Sequence, residues 1–212
     1  MDQGYQILAF GRRRYLDMAV ICAKSLRRVD QRPIQLVTDD LAAARDVRRH
    51  FTVITPYRGG MSGALAKLTM HEHLVFDQTM YIDSDCVAFR DVDFFWDLLS
   101  RDGSVLIGDK KTSGRWYRNN IADWCAHFSI PYVIQTNSGF MFLTGETRKL
   151  LEVALGIVRT HGNFTKSNHR GLGPPDEPYL AVAGAPGCVS LATGSRRPDP
   201  DAFDQQGEEF SV

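Results

Sequence analysis

Apolar residues in the first half of the chain come in short runs, separated by longer stretches with helical spacing. Ile7-Leu8-Ala9-Phe10 reads as a first strand. Tyr15 to Val29 then carries Leu16, Ala19, Val20, Ala23 and Leu26 at three- and four-residue steps, the period of a helix with one apolar face. Ile34-Gln35-Leu36-Val37 is a second strand, opened by Pro33 and closed by Asp39-Asp40. Leu41 to His50 is an Ala- and Arg-rich helix, and Val53-Ile54-Thr55 a third strand. A loop with Gly59-Gly60 follows, and Ser62 is placed to cap a helix from Gly63 to Phe76. Met80-Tyr81-Ile82 is a fourth strand and ends at Asp83-Ser84-Asp85.

The second half is less regular. Val87-Ala88-Phe89 reads as a short strand, Phe94 to Leu99 as a short helix and Val105-Leu106-Ile107 as a further strand. Asn119 to Phe128 is a helix. Val133 to Leu143 is strand-like but interrupted by Thr136-Asn137-Ser138-Gly139, and Glu146 to Thr160 is an amphipathic helix. Asn163 to Pro175 is a polar, Gly- and Pro-rich stretch long enough to be a functional loop. A helix near Asp176–Ala183 follows, and the tail from Gly194 is polar with little periodicity.

Strands alternating with helices predict an α/β fold with a mostly parallel central sheet flanked by helices. Such sheets bind ligands outside the carboxyl ends of their strands. That rule points to Gly11–Tyr15, Asp39-Asp40 and Asp83–Asp85. With 212 residues, no internal repeat and no linker, one domain is expected.

Composition narrows the setting. Lys and Arg number 25 and Asp and Glu number 25, so the formal charge is zero and no bulk attraction draws the chain to nucleic acid or anionic lipid. A 43% hydrophobic and 24% charged mix is that of a globular protein, which excludes disorder as the dominant state. The four cysteines, Cys22, Cys86, Cys125 and Cys188, form no C-x-x-C pair, which argues against a zinc module and for reduced, mostly buried thiols. No basic segment leads into an apolar run at the N-terminus, and no stretch is apolar enough to span a bilayer. A cytoplasmic setting is expected. The sequon Asn163-Phe164-Thr165 carries little weight without a leader.

The chemistry concentrates in four places. Asp83 and Asp85 are two apart, so in extended backbone both carboxylates point to one side. At a strand's carboxyl end they would suit a hard divalent cation bridging a diphosphate; a solvated acidic turn is the simpler alternative. Lys67, on the helix before that strand, is placed to reach an anionic substrate or simply to stay on the surface. Asn137-Ser138-Gly139 breaks an apolar strand, as close ligand approach or a bulge would. Asp176-Glu177 opens a helix, where Asp176 could equally be an N-cap. His71 and His73 do not share a helix face. His50, His127 and His161 need no special role, and His169 sits in the polar loop. Arg12-Arg13-Arg14 follows the first strand and could meet phosphates or solvent. There is no G-x-S-x-G, no Walker lysine loop and no G-x-G-x-x-G after a strand.

The order of these features resembles the family 8 glycosyltransferases of the GT-A fold, from about residue 5 to 181. Tyr15 followed by Ala19 and Ala23-Lys24-Ser25-Leu26 is similar to the family's opening helix. Lys67-Leu68 stands before Met80-Tyr81-Ile82-Asp83-Ser84-Asp85 as the family's basic residue precedes its Y-[IL]-D-x-D. Thr136-Asn137-Ser138-Gly139-Phe140 resembles F-N-[AS]-G, and Asp176-Glu177-Pro178-Tyr179-Leu180 resembles D-Q-x-x-[LF]. The resemblance implies a single nucleotide-diphospho-sugar transferase domain. Its nucleotide-binding half would be about 1–90 and its acceptor-side half about 91–190, with a polar tail from about 194 to 212. It implies a UDP-sugar donor, Mn2+ or Mg2+, and transfer with retention to a glycan, lipid or protein acceptor. Asp83 and Asp85 would hold the metal. Phe10, Tyr15, Lys67, Asp83, Ser84, Asn137 and Ser138 would line the donor, with Tyr15 against the base and Lys67 at the diphosphate or sugar. Asp176 and Glu177 would be catalytic, Asp176 at the sugar hydroxyls and Glu177 beneath the anomeric carbon.

Three features depart from the family pattern. Gly11-Arg12-Arg13-Arg14 replaces the usual polar or acidic residues before the tyrosine, and Glu177 replaces the common glutamine. The late H-x-x-G-x-x-K-P-W is absent and nothing after Cys188 matches it; Arg196-Arg197 could offer positive charge there and Asp199 or Asp201 a ligand. Two alternatives therefore stay open. One is a degenerate sugar-nucleotide fold used for binding or assembly. The other is a haloacid-dehalogenase-type phosphatase, whose D-x-D normally ends the first strand rather than the fourth. Acceptor choice falls to variable loops, here Arg115–Asn120 and Asn163–Pro175.

Overall fold

A computed structural model describes residues 2–102, 108–145, 147–167 and 173–186, with the side chains of 99–102 excepted. A five-stranded sheet runs through the centre. Its strands are β1 (Gln3–Ala9), β2 (Ile34–Thr38), β3 (Val53–Pro56), β4 (Gln78–Asp83) and β9 (Phe140–Leu143), in the order β3-β2-β1-β4-β9. The first four are parallel, and β9 pairs antiparallel with β4. A ribbon of β5 (Gly108–Lys111) and β8 (Val133–Thr136) stands beside it, and β6 (Arg115–Trp116) and β7 (Asn119–Asn120) form a small hairpin. The helices are α1 (Arg13–Val29), α2 (Leu41–Val47), α3 (Asp93–Asp102), α4 (Ile121–His127), α5 (Thr147–His161) and α6 (Glu177–Ala183). The expected mixed fold, a mostly parallel sheet flanked by helices, is what forms.

The two faces of the sheet follow from strand periodicity. Tyr5, Ile7, Ala9, Ile34, Leu36, Met80, Ile82 and Phe142 face α1 and α3, where Leu16, Ala19, Cys22, Ala23, Leu26 and Trp96 complete one apolar cluster. Val37, Tyr81, Met141 and Leu143 belong to a second cluster with α5 and α6. Gln6 and Gln35 are fully buried on this second face. Gln6 Nε2 donates to Gln35 Oε1 at 3.0 Å, and Gln35 Nε2 to the His73 carbonyl at 2.6 Å. These bonds tie the segment after β3 to the sheet, and Gln6 Oε1 is left without a partner among the described residues.

That segment differs from the sequence expectation. Gly63–His73 is a run of 3-10 turns rather than an α-helix reaching Phe76. It starts at Gly63 with φ of +62°, and its last turn is bound from the side: His73 Nδ1 contacts the Thr69 carbonyl at 3.1 Å while the sheet glutamine takes the His73 carbonyl. The helix expected to reach His50 stops at Val47 and tightens into a 3-10 turn, Arg48–His50. Val87–Phe89 forms no strand. The Ala88 N–H instead donates to Ser25 Oγ on α1 at 2.9 Å. The helix expected from Asn119 begins at Ile121, because Asn119 and Asn120 pair with Trp116 and Arg115. The strand expected at Val105–Ile107, His169 and everything from Cys188 onward, including Arg196, Arg197, Asp199 and Asp201, lie outside the described residues.

Candidate active site

The carboxyl ends of β1, β2 and β4 open on one edge of the sheet. Asp83 is the last residue of β4 and lies on the same face as Tyr81, two residues earlier. Tyr81 is fully buried, and its hydroxyl donates to Asp83 Oδ1 at 2.7 Å. Lys67, from the 3-10 run, donates to Asp83 Oδ2 at 2.7 Å and to Ser138 Oγ at 3.2 Å. The Asp83 N–H donates to the Gly139 carbonyl at 2.8 Å. The interruption between β8 and β9 therefore exists to bring Asn137-Ser138-Gly139 against the end of β4. Gly139 is glycine for a steric reason: a Cβ there would lie 2.9 Å from Asn137 Oδ1 and 3.0 Å from Asp83 Oδ2.

Asp176 and Glu177 enter from the start of α6. Asp176 is 4% exposed, and its side chain makes no cap bond to the helix, so the N-cap alternative is not adopted. Its Oδ2 has no hydrogen-bond partner among the described residues. Burial pushes the carboxyl above the ordinary range, with the Lys67 charge and a Ser138 hydrogen bond opposing the rise. Glu177 Oε1 accepts the Ser138 N–H at 3.2 Å, and Oε2 accepts the Tyr117 hydroxyl at 2.6 Å. Its carboxyl is also raised, by burial first and by Asp176, against the pull of the Tyr117 hydrogen bond. Burial would lower Lys67, but the charges of Asp176, Asp83 and Glu177 outweigh it and hold the ammonium protonated well above its usual value.

Among the described residues three carboxylates thus face one ammonium, an excess of two negative charges when all are ionised. A diphosphate would not enter such a site without further positive charge, so the charge balance fits a divalent cation. The ligand set does not close by itself: among the described residues no three His, Cys, Asp or Glu side chains converge. The expectation that Asp83 and Asp85 point the same way through extended backbone is corrected. The chain turns after Asp83, with the Cys86 N–H on the Asp83 carbonyl at 3.1 Å, and leaves Asp85 exposed and Ser84 buried.

Phe10 and Tyr15 gather at the end of β1 with other partners. The Phe10 ring packs on Tyr57 at 4.7 Å, and the Arg14 guanidinium lies over the Tyr15 ring at 4.9 Å. Beside them a hollow of about 190 Å³ is lined by Ala9, Arg12, Arg13, Leu16, Asp39 and Asp40, with the Gly11 N–H on both Asp39 oxygens at 3.1 Å. The two acidic loop residues and the arginines expected near a ligand therefore share one depression.

The overall fold superposes on known structures. The mouse xyloside xylosyltransferase 1 structure superposes with a TM-score of 0.56 at 11% identity, over 87% of this chain and 82% of that one. The glycosyltransferase GlyE of Streptococcus pneumoniae superposes with a TM-score of 0.50 at 14% identity, over 85% of this chain. The fold is of the GT-A glycosyltransferase type. This chain spans 43% of GlyE. No protein-family model matches the sequence, and no curated protein matches it either. Asp83 ends β4, the fourth strand of the chain, and not the first, where the phosphatase alternative would place its D-x-D. Among the described residues no helix is long and apolar enough to cross a membrane.

Two contributors were not foreseen. Tyr81 was within reach, since a strand puts positions two apart on one face. Tyr117 was not: nothing in Arg115–Asn120 signals a hairpin, and its partner Glu177 is far along the chain.

Proposed function

We propose that the protein is a glycosyltransferase that moves a sugar from a nucleotide-sugar donor, a UDP-sugar, to an acceptor hydroxyl on a glycan, lipid or protein, with retention, in the manner of family 8. One observation carries the reading: in a GT-A-type fold, a partly buried ammonium, Lys67, is clamped between Asp83 and Ser138 and faces the carboxylates of Asp176 and Glu177. Lys67 is the positive charge the chain itself offers to a departing diphosphate, already oriented and partly dry, where charge stabilisation is most effective. Mn2+ or Mg2+ would supply the remaining charge on the leaving group, with the exposed Asp85 as one ligand and Asp83 as a second once its hydrogen bonds from Lys67 and Tyr81 are exchanged for the metal. Asn137, Ser138 and Asp176 present polar atoms to sugar hydroxyls. Glu177 offers a carboxylate to the carbon from which the nucleotide leaves.

The test is hydrolysis or transfer from a panel of UDP-sugars, with and without Mn2+. Turnover with Mn2+ that is lost in Asp85→Ala supports the reading, and absence of UDP binding in calorimetry with Mn2+ present refutes it. A second reading, nucleotide-sugar binding without turnover, is favoured by the missing third ligand among the described residues. It predicts thermal stabilisation by UDP-sugars with no product.

A further inference from the structure

The turn joining β6 to β7 is made of Tyr117 and Arg118, with φ of +47° and +66°. Two-residue hairpins of this twist are normally filled by Asn-Gly or Asp-Gly, because both central residues must be left-handed. A tyrosine and an arginine in succession there are held by their surroundings. The Tyr117 carbonyl accepts from Asn119 Nδ2 at 2.7 Å and from Ser167 Oγ at 2.7 Å. Asn119 Nδ2 also reaches the Thr165 carbonyl at 2.5 Å. Trp116 packs on Trp124, Trp124 on Phe164, and Phe164 on Tyr179, with centroid distances of 6.0, 5.4 and 4.9 Å. Tyr179 lies in α6, two residues after Glu177. The hydroxyl and the carboxylate that meet at 2.6 Å are therefore mounted on opposite ends of one aromatic stack.

We propose that Tyr117 is a positioning residue for Glu177: its hydroxyl and the Ser138 N–H together fix both carboxylate oxygens, and the strained turn serves to place that hydroxyl. Glu177's catalytic part in this rests on the glycosyltransferase reading; the positioning contact does not. Four groups set the charge on Glu177 besides burial: Tyr117 from the hairpin, Asp176 just before its own helix, the Ser138 N–H and Lys67 from the 3-10 run. A donated hydrogen bond favours the ionised carboxylate over the acid. Removing the hydroxyl leaves Asp176 and burial to push the carboxyl higher.

The probe is Tyr117→Phe, which keeps the ring. The titration of the Glu177 carboxyl is followed by carbon-13 NMR in the wild type and the variant, with assignment by Glu177→Gln. The expected result is an upward move of the Glu177 midpoint. In transfer assays kcat falls about tenfold or more while the donor KM changes little, and the acid limb moves to higher pH. In a Glu177→Gln background the added loss from Tyr117→Phe vanishes. An unmoved titration overturns the proposal whether or not any donor is turned over, as does an equal loss of rate in both backgrounds. A moved titration in a protein that turns over no nucleotide-sugar leaves the positioning contact standing and removes only the glycosyltransferase reading.

Discussion

Lys67 is the residue on which the site balances. Its side chain is 17% exposed and, among the described residues, its ammonium is the cation set against Asp83, Asp176 and Glu177. Replacing it with methionine keeps the stem and removes the charge, leaving Asp83 without its ion partner and Asp176 buried with only its Ser138 hydrogen bond to offset burial. A fully buried pair broken in this way costs about 3–5 kcal/mol, and this partly exposed one should cost less. The sign with pH follows from Asp176, whose carboxyl is already raised in the fold. A group with a raised folded pKa contributes stability that is complete below its unfolded value and lost as pH rises through the folded one. Urea unfolding of Lys67→Met should therefore show a deficit that is largest at neutral pH and shrinks toward pH 4. A deficit independent of pH would mean that lost packing, not charge, sets the cost. Asp83's place at the carboxyl edge of the sheet was legible in the sequence because strand order fixes that edge, whereas Lys67 was marked only by its spacing before β4 and by resemblance. Asp176's burial was not legible, since its position just before α6 reads equally well as a cap.

At the scale of elements, strands were legible from apolar runs because the central sheet is buried on both faces. The irregular pieces were not. The run Gly63–His73 has helix-forming residues, but long-range bonds from Gln6 and Gln35 to its carbonyls override local preference. The 115–120 hairpin carries the opposite conflict, side chains with a Cβ in left-handed backbone. The conflict is testable at Arg118, which is exposed and whose φ is +66°. A non-glycine residue in that conformation costs about 1–2 kcal/mol. Arg118→Gly should therefore raise the unfolding midpoint, by about 1 kcal/mol in chemical denaturation. Arg118→Val, branched at Cβ, should lower it. If glycine destabilises, the arginine side chain contributes more than its backbone costs, and the strain argument for this turn fails.

At the scale of the whole molecule, one buried polar cluster joins the first strand, the following loop and α3 on the face away from the site. The Tyr5 hydroxyl donates to Asp30 and accepts from Trp96 Nε1 at 2.9 Å. Arg32 donates to Asp30 and Asp93 at 2.6 Å each and lies over the Trp96 ring at 4.9 Å. The sequence showed only Pro33 opening the second strand here, because the partners come together through the sheet and not along the chain. Burial would raise the Asp30 carboxyl, but the Tyr5 hydroxyl, the Arg32 N–H and the Arg32 guanidinium together hold it below its ordinary value. A carboxylate depressed in the fold contributes stability that is present above its unfolded pKa and lost as pH falls through the folded one. Asp30→Asn should cost about 1–3 kcal/mol at pH 7, since a buried charged hydrogen-bond acceptor is replaced by a neutral one. The gap from wild type should hold constant from pH 7 to about 5 and close below about pH 4, where the wild-type carboxylate itself becomes protonated. Thermal unfolding of both proteins across that range measures it. A gap that persists at pH 2 would assign the loss to misplaced hydrogen bonds of the amide, and the charge on Asp30 would then have no part in tying α3 to the sheet.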